Sequence, residues 1–141
     1  MYLLDTVTLS ALMRPADLAP AVERWFASVD LGDLHVPAPA LAEILRGIAR
    51  LPEGARKKRL HEAYLAHVVP LLESCPAFDA AASVRGELMG AGDRTGRQLP
   101  IIDAQIGAIA LANGLCVVTR NVRDFAPMGV RTLDPWDAAR P

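Results

Sequence analysis

Cysteine is scarce in this chain. There are two in 141 residues, Cys75 and Cys116, both set in apolar segments and far from any CxxC or histidine-rich spacing. That pattern excludes a zinc site or a disulfide framework and reads as two reduced core residues. Long apolar runs are missing as well. The most apolar stretch, Ile101 to Val118, is interrupted by Asp103, Gln105 and Asn113, so it falls short of the roughly 20 apolar residues that span a bilayer. The start, Met1-Tyr2-Leu3-Leu4-Asp5, has no basic region and meets an acid at once, unlike a signal peptide. A cytoplasmic protein with no membrane partner is expected. Nor is there an excess of either charge: 15 Lys plus Arg stand against 16 Asp plus Glu, a formal net of −1. This balance excludes a DNA-coating protein but leaves RNA open, because a local patch or a bound cation can neutralise phosphates. Lysine is nearly absent, with only Lys57 and Lys58 beside 13 arginines. A receiver-type phosphoacceptor domain needs a lysine after a late strand, which neither lysine supplies. A haloacid-dehalogenase-type phosphatase needs Asp-x-Asp, and Val7 occupies the third position.

What is present is a hydrophobic fraction of 52% with no repeat, low-complexity tract or linker. One domain over 1–141 is the expectation. A chain of this size buries roughly 68–70% of its unfolded surface, enough for a core without disulfides or structural metal. Tyr2 to Leu4 reads as a buried strand ending in Asp5, followed by a helix capped by Thr8 or Ser10 and stopped by Pro15. Asp17 opens a second helix through Val29. Leu34-His35-Val36 is a short strand, and Pro37 and Pro39 lead into a helix carrying Leu41, Ile44, Leu45 and Ile48. Glu53 to Glu73 reads as one helix that Pro70 kinks or divides. Asp79 caps a helix to Met89, and Gly90, Gly92 and Gly96 mark a loop. A helix from Pro100 stops at Asn113-Gly114. Leu115 to Val118 is a strand, Thr119 to Gly129 a polar turn, and Val130 to Leu133 a last strand. Strands alternating with helices and no hairpin signal predict an α/β fold, a three-layer α/β/α sandwich around a central parallel sheet.

Open parallel sheets bind ligands at the carboxyl ends of their strands. Asp5 ends the first strand there, Thr119, Asn121 and Asp124 follow a late strand at the same edge, and Asp103 begins the helix before that strand. Glu43 can be a fourth acid. Crowded carboxylates raise one another's pKa unless a cation sits among them, and hard oxygen ligands suit Mg²⁺ or Mn²⁺. Each acid also has a plainer reading. Asp103 can serve a helix macrodipole, Glu43 can pair with Arg46 or Arg50, and Asp124 can be a turn residue. Asp5 resists one, because an acid joined to a core strand is costly without a partner.

Four segments, Met1-Tyr2-Leu3-Leu4-Asp5-Thr6, Glu43-Ile44-Leu45-Arg46-Gly47-Ile48, Pro100-Ile101-Ile102-Asp103-Ala104-Gln105-Ile106 and Val118-Thr119-Arg120-Asn121-Val122-Arg123-Asp124-Phe125, occur in the order and register of a known family. With Leu133-Asp134-Pro135-Trp136 behind them, the chain resembles the PIN-domain ribonucleases, specifically VapC toxins of the FitB-like branch. The resemblance implies a metal site formed by Asp5, Glu43, Asp103 and an acidic or amide position among Asn121 to Asp124, with Asp124 favoured for its charge and Thr119 supporting the site. It departs from the family at Val7-Thr8-Leu9, where Asn-Val-Leu is usual. An amide is thus missing, a role left to Thr6 or Thr8, and Gly107 stands where Ala is usual. The implied reaction is Mg²⁺-dependent hydrolysis of RNA, with Mn²⁺ as the alternative ion, leaving a 5′-phosphate and a 3′-hydroxyl. Mg²⁺ on Asp5 and Asp103 would acidify a bound water that Glu43 or Asp124 orients or deprotonates. The alternative is a catalytically inactive PIN-fold partner of an antitoxin or nucleic acid.

Arg56, Lys57, Lys58 and Arg59, or Arg94 and Arg97, are candidates to hold the RNA backbone; the competing reading is a solvated helix start and a solvated loop. Trp25, Phe26, Tyr64 and Leu72 are more apolar surface than a small sheet covers, which points to a homodimer. The resemblance adds a VapB-like or FitA-like antitoxin as partner, with DNA bound only through that antitoxin.

Overall fold

Five parallel strands in the order β3-β2-β1-β4-β5 form the centre of the computed structural model, which describes residues 1–74, 77–78, 96 and 99–137. They are β1 (Tyr2–Leu4), β2 (Leu34–Pro37), β3 (Ala77–Phe78), β4 (Cys116–Val118) and β5 (Thr132–Leu133). β1 pairs with β4 at Leu4↔Val118 and with β2 at Leu3↔His35, while β5 pairs with β4 at Val118↔Leu133. The strand order reverses direction between β1 and β4. A crevice therefore opens outside the carboxyl ends of those two strands. Residues Asp5 and Thr119 are the next positions beyond the paired Leu4 and Val118.

The helices are α1 (Thr6–Leu12), α2 (Pro20–Ser28), α3 (Ala38–Ala49), α4 (Ala55–Ala63), α5 (Val69–Ser74), α6 (Ile101–Asn113) and α7 (Val122–Phe125). They flank the sheet as the strand-helix order predicts. Helix α3 packs against both α1 and α6, and α6 packs against β4 and α7. The core holds Leu3, Leu4, Leu9, Val36, Ile106, Val117 and Phe125, all fully buried. Each such side chain contributes about 1.5–3 kcal/mol. Gly114 ends α6 in the left-handed conformation, φ 64°, that a glycine adopts without steric cost.

Several local expectations are corrected. The cap of α1 is Asp5 rather than Thr8 or Ser10, because Asp5 Oδ1 accepts from the Thr8 N–H at 2.7 Å. Asp17 ends a 3-10 turn (Pro15–Asp17), and α2 starts at Pro20, whose fixed φ suits a first helical position. The helix expected over 53–73 starts at Ala55, and a π turn (Tyr64–Val68) joins α4 to α5. That turn places both Tyr64 and Val68 in the core. It lies just before Pro70, which has no N–H to give the helical ladder. The polar turn after β4 contains α7 and a 3-10 turn (Ala126–Met128). β5 is shorter than expected, and β3 was not anticipated. Cys116 is half-buried and free rather than a core residue. Cys75, the Asp79–Met89 helix, Gly90, Gly92, Arg94 and Arg97 lie outside the described residues.

The apolar side chains offered as a dimer surface are mostly internal. Tyr64 is buried, and Trp25, Phe26 and Leu72 pack partly buried against the core. Trp25 stacks edge-on with Tyr2 and Phe26, at centroid distances of 5.4 and 5.0 Å. No described helix is long and apolar enough to cross a membrane.

Candidate active site

Asp5 is buried where β1 gives way to α1. Its backbone N–H donates to the Val118 carbonyl at 3.2 Å, continuing the sheet, while its side chain caps the helix. Burial raises its pKa, opposed by hydrogen bonds from the Thr119 hydroxyl and from backbone N–H groups. Thr119 is fully buried, and its Oγ1 also accepts from the Asn121 N–H at 2.8 Å. It thus links the carboxylate after β1 to the loop after β4. Thr8, fully buried too, donates its hydroxyl proton to the Val118 carbonyl at 2.8 Å and clamps α1 to β4.

Glu43 is exposed on α3, and its Oε2 accepts from Thr6 Oγ1 at 2.7 Å. Its hydrogen bond therefore crosses to α1 instead of running along its own helix to Arg46 or Arg50. Two threonines occupy the region where the family pattern has an amide: Thr6 positions Glu43, and Thr8 fixes the geometry around Asp5.

Asp103 sits half-buried in the first turn of α6, whose N-cap Pro100 supplies no side-chain cap. Its pKa is pushed up to about 6, first by burial and then by the negative charges of Asp124, Asp5 and Glu43. The other three acids singled out in the sequence are therefore near enough to act on this carboxyl group. Asp124 is exposed on α7, which fully buried Phe125 pins to the core. Asn121 is the N-cap residue of α7, and its carbonyl accepts from the Asp124 N–H at 3.0 Å.

No basic side chain is among the causes that set the Asp103 pKa. Among the described residues, no three Asp, Glu, His or Cys side chains already close on a common point. Carboxylates gathered in this way offer an all-oxygen donor set that fits a hard divalent cation with open positions.

The basic run reaches this edge at Arg56. Lys57 pairs with Glu53 and Lys58 with Glu62, each one turn away on α4 or at its start. Arg56 lines a cavity of about 370 Å³ with Arg14, Glu43 and Thr6. A larger cavity of about 650 Å³, lined by Arg120, Asn121, Arg123, Asp124 and Asp134 among others, adjoins the acids. Sequence reasoning missed it, although one wall, Arg120 to Asp124, stands in the Val118 to Phe125 segment.

The model of the PIN domain matches residues 2–129. The chain belongs to the PIN-domain family. Within it, this PIN domain is 30% identical over 138 residues to Toxin FitB of Neisseria gonorrhoeae, covering 96% of this chain and 99% of the relative. It is 30% identical over 141 residues to VapC ribonuclease Y4jK of Sinorhizobium fredii, covering 99% and 100%. The structure of FitAB bound to an IR36 DNA fragment contains a chain that superposes with a TM-score of 0.82 at 29% identity, covering 99% of each chain.

Proposed function

We propose that this PIN domain is a metal-dependent endoribonuclease, the toxin of a VapBC-type pair. The observation that carries the reading is the convergence of Asp5, Glu43 and Asp124 on Asp103. Crowded carboxylates raise one another's pKa, a strain that a bound cation relieves, and similarity to a VapC ribonuclease supplies the substrate class.

Asp5 and Asp103 are the proposed metal ligands, with Mg²⁺ the first choice and Mn²⁺ the second. Bound there, the ion would acidify a water and offset phosphate charge. Asp5 is held by the Thr8 N–H and the Thr119 hydroxyl, which fix its carboxylate at the end of β1. Glu43, held by Thr6, and Asp124, seated on α7, would orient or deprotonate the attacking water. Asn121 lies beside Asp124 as a positioning neighbour. The expected products carry a 5′-phosphate and a 3′-hydroxyl.

A nuclease toxic to its own cell needs an inhibitor. The similarity to Toxin FitB, and to a chain of a FitAB complex on DNA, supports a FitA-like or VapB-like antitoxin that brings the DNA contact. A homodimer is part of this reading. Exposed Leu45, Leu65 and Ile101 offer it apolar surface, in place of the internal Trp25, Phe26 and Tyr64.

The test is cleavage of an RNA pool with Mg²⁺, with Mn²⁺ and with EDTA, by wild type and Asp5→Asn. Metal-dependent cleavage lost in Asp5→Asn supports the reading. Cleavage that survives EDTA and the substitution overturns it.

A further inference from the structure

The 650 Å³ cavity lies beside the acid cluster, between the chain leaving β4 and the chain leaving β5. The Thr119 N–H still donates to the Leu133 carbonyl at 2.9 Å. Beyond that bond the two segments part. One turns into α7, and the other makes a tight turn in which Asp134 Oδ1 accepts from the Trp136 N–H at 2.9 Å. Arg120 and Arg123 stand on the first wall, exposed, with no ion pair or side-chain hydrogen bond among the described residues. The cavity shares Asn121 and Asp124 with the site itself.

Free guanidinium groups are weakly hydrated, planar donors suited to phosphate oxygens. Asp134 on the cavity's other lining would repel a purely anionic ligand. A ligand that fits both must carry a phosphate and N–H or O–H donors together, as a nucleotide does. Asp134 commits one oxygen to Trp136 and leaves the other for such a donor.

We infer that this cavity holds the RNA nucleotide next to the cleaved phosphodiester, with Arg120 and Arg123 on its phosphate and Asp134 accepting from its base or ribose. The inference rests on the ribonuclease reading and extends it to substrate binding.

Two measurements test it. Anisotropy of a labelled single-stranded RNA is read in EDTA across a salt series, and steady-state cleavage is read in Mg²⁺. Arg120→Ala and Arg123→Ala should each weaken binding about tenfold and lower the log–log salt slope by about 0.7. KM should rise by the same factor with kcat within about twofold, the mark of lost uniform binding. Arg24→Ala, which removes the same charge from exposed α2, should leave slope and KM unchanged. Asp134→Asn keeps an oxygen for Trp136 and should alter base preference at one position flanking the cut. If Arg120→Ala and Arg123→Ala behave as Arg24→Ala does, or lose an antitoxin while RNA affinity is intact, the inference is overturned. Arginine-dependent RNA binding without cleavage under either metal would overturn the nuclease reading and leave the cavity as an RNA site. No RNA binding by wild type would sink both.

Discussion

At the amino ends of β1 and β4 the Cys116 N–H donates to the Met1 carbonyl, the Leu115 N–H to the Ala110 carbonyl, and Arg131 Nη2 to the Gly114 carbonyl. Partners are matched there and no acid is buried among the described residues. At the carboxyl ends of the same strands Asp5 is buried, Asp103 is pushed up to about 6, and the buried polar threonines Thr8 and Thr119 cluster. One sheet thus carries a relaxed end and an electrostatically stressed end. Local rules are satisfied where only stability is at stake and broken where a ligand completes the site.

The sharpest test of that contrast removes a carboxylate from the stressed end. Asp5→Asn and Asp103→Asn should each lower metal-dependent RNA cleavage by about 10²–10⁴-fold. Asparagine is as good a helix cap as aspartate, so Asp5→Asn keeps the start of α1. Thermal unfolding in EDTA should show melting temperatures equal to or above wild type. A melting temperature well below wild type would make these acids structural and erase the difference between the two ends.

Away from the acids the effect should fall on stability instead. A Cβ on Gly107, in the middle of α6, would come within 2.5 Å of Met128 Sδ and 3.5 Å of Val130 Cγ2. Gly107→Ala should therefore cost about 1–3 kcal/mol by overpacking, read by urea unfolding. The Gly107→Ala, Met128→Ala double variant should be more stable than the two single costs combined, with a coupling of at least about 0.5 kcal/mol. Strict additivity would show that the methionine yields without strain.

The stressed end should also betray itself in pH. The folded pKa of Asp103, about 6, lies above its ordinary 3.8, so the native state binds more protons between those values. Stability of the metal-free protein should then fall as pH rises from about 4 to 6 and level off above. The full shift corresponds to about 3 kcal/mol, and the half-exposed position in water reduces this to about 1. Denaturant midpoints in EDTA across pH 4–7 should slope downward for wild type and flatten in Asp103→Asn. A rising midpoint would contradict the crowding of these acids.

Asp5, Glu43, Asp103 and Asp124 were singled out by their combination in one ordered pattern, since Glu43, Asp103 and Asp124 each have a plainer reading taken alone. The alternation of strands and helices was legible because apolar runs bounded by Gly and Pro are local. What escaped depends on partners distant in the chain. β3 is two residues long and exists by pairing with Val36 and Pro37. The π turn answers to the packing of Tyr64 and Val68, and Thr6 finds Glu43 across 37 positions. The cap of α1 is itself legible, since Asp5 and Thr8 stand at the N-cap to N3 spacing, and one carboxylate serves as both cap and site residue.

The smallest effects belong to the basic run, where solvated helix and RNA contact compete. Lys57 follows Glu53 by four residues, the favourable orientation, whereas Lys58 precedes Glu62, the weaker one. Lys58 and Glu62 are also 3.9 Å apart and largely exposed. Lys57→Ala should cost up to about 0.5 kcal/mol and Lys58→Ala less, both fading in 1 M salt as surface pairs do. Paired lysines have their charge partly satisfied, so RNA affinity should change less than twofold in either variant. A drop of about 0.7 in the salt slope for either one would instead make α4 part of the RNA path, extending the charged surface that serves the carboxyl edge to a helix that otherwise only covers the core.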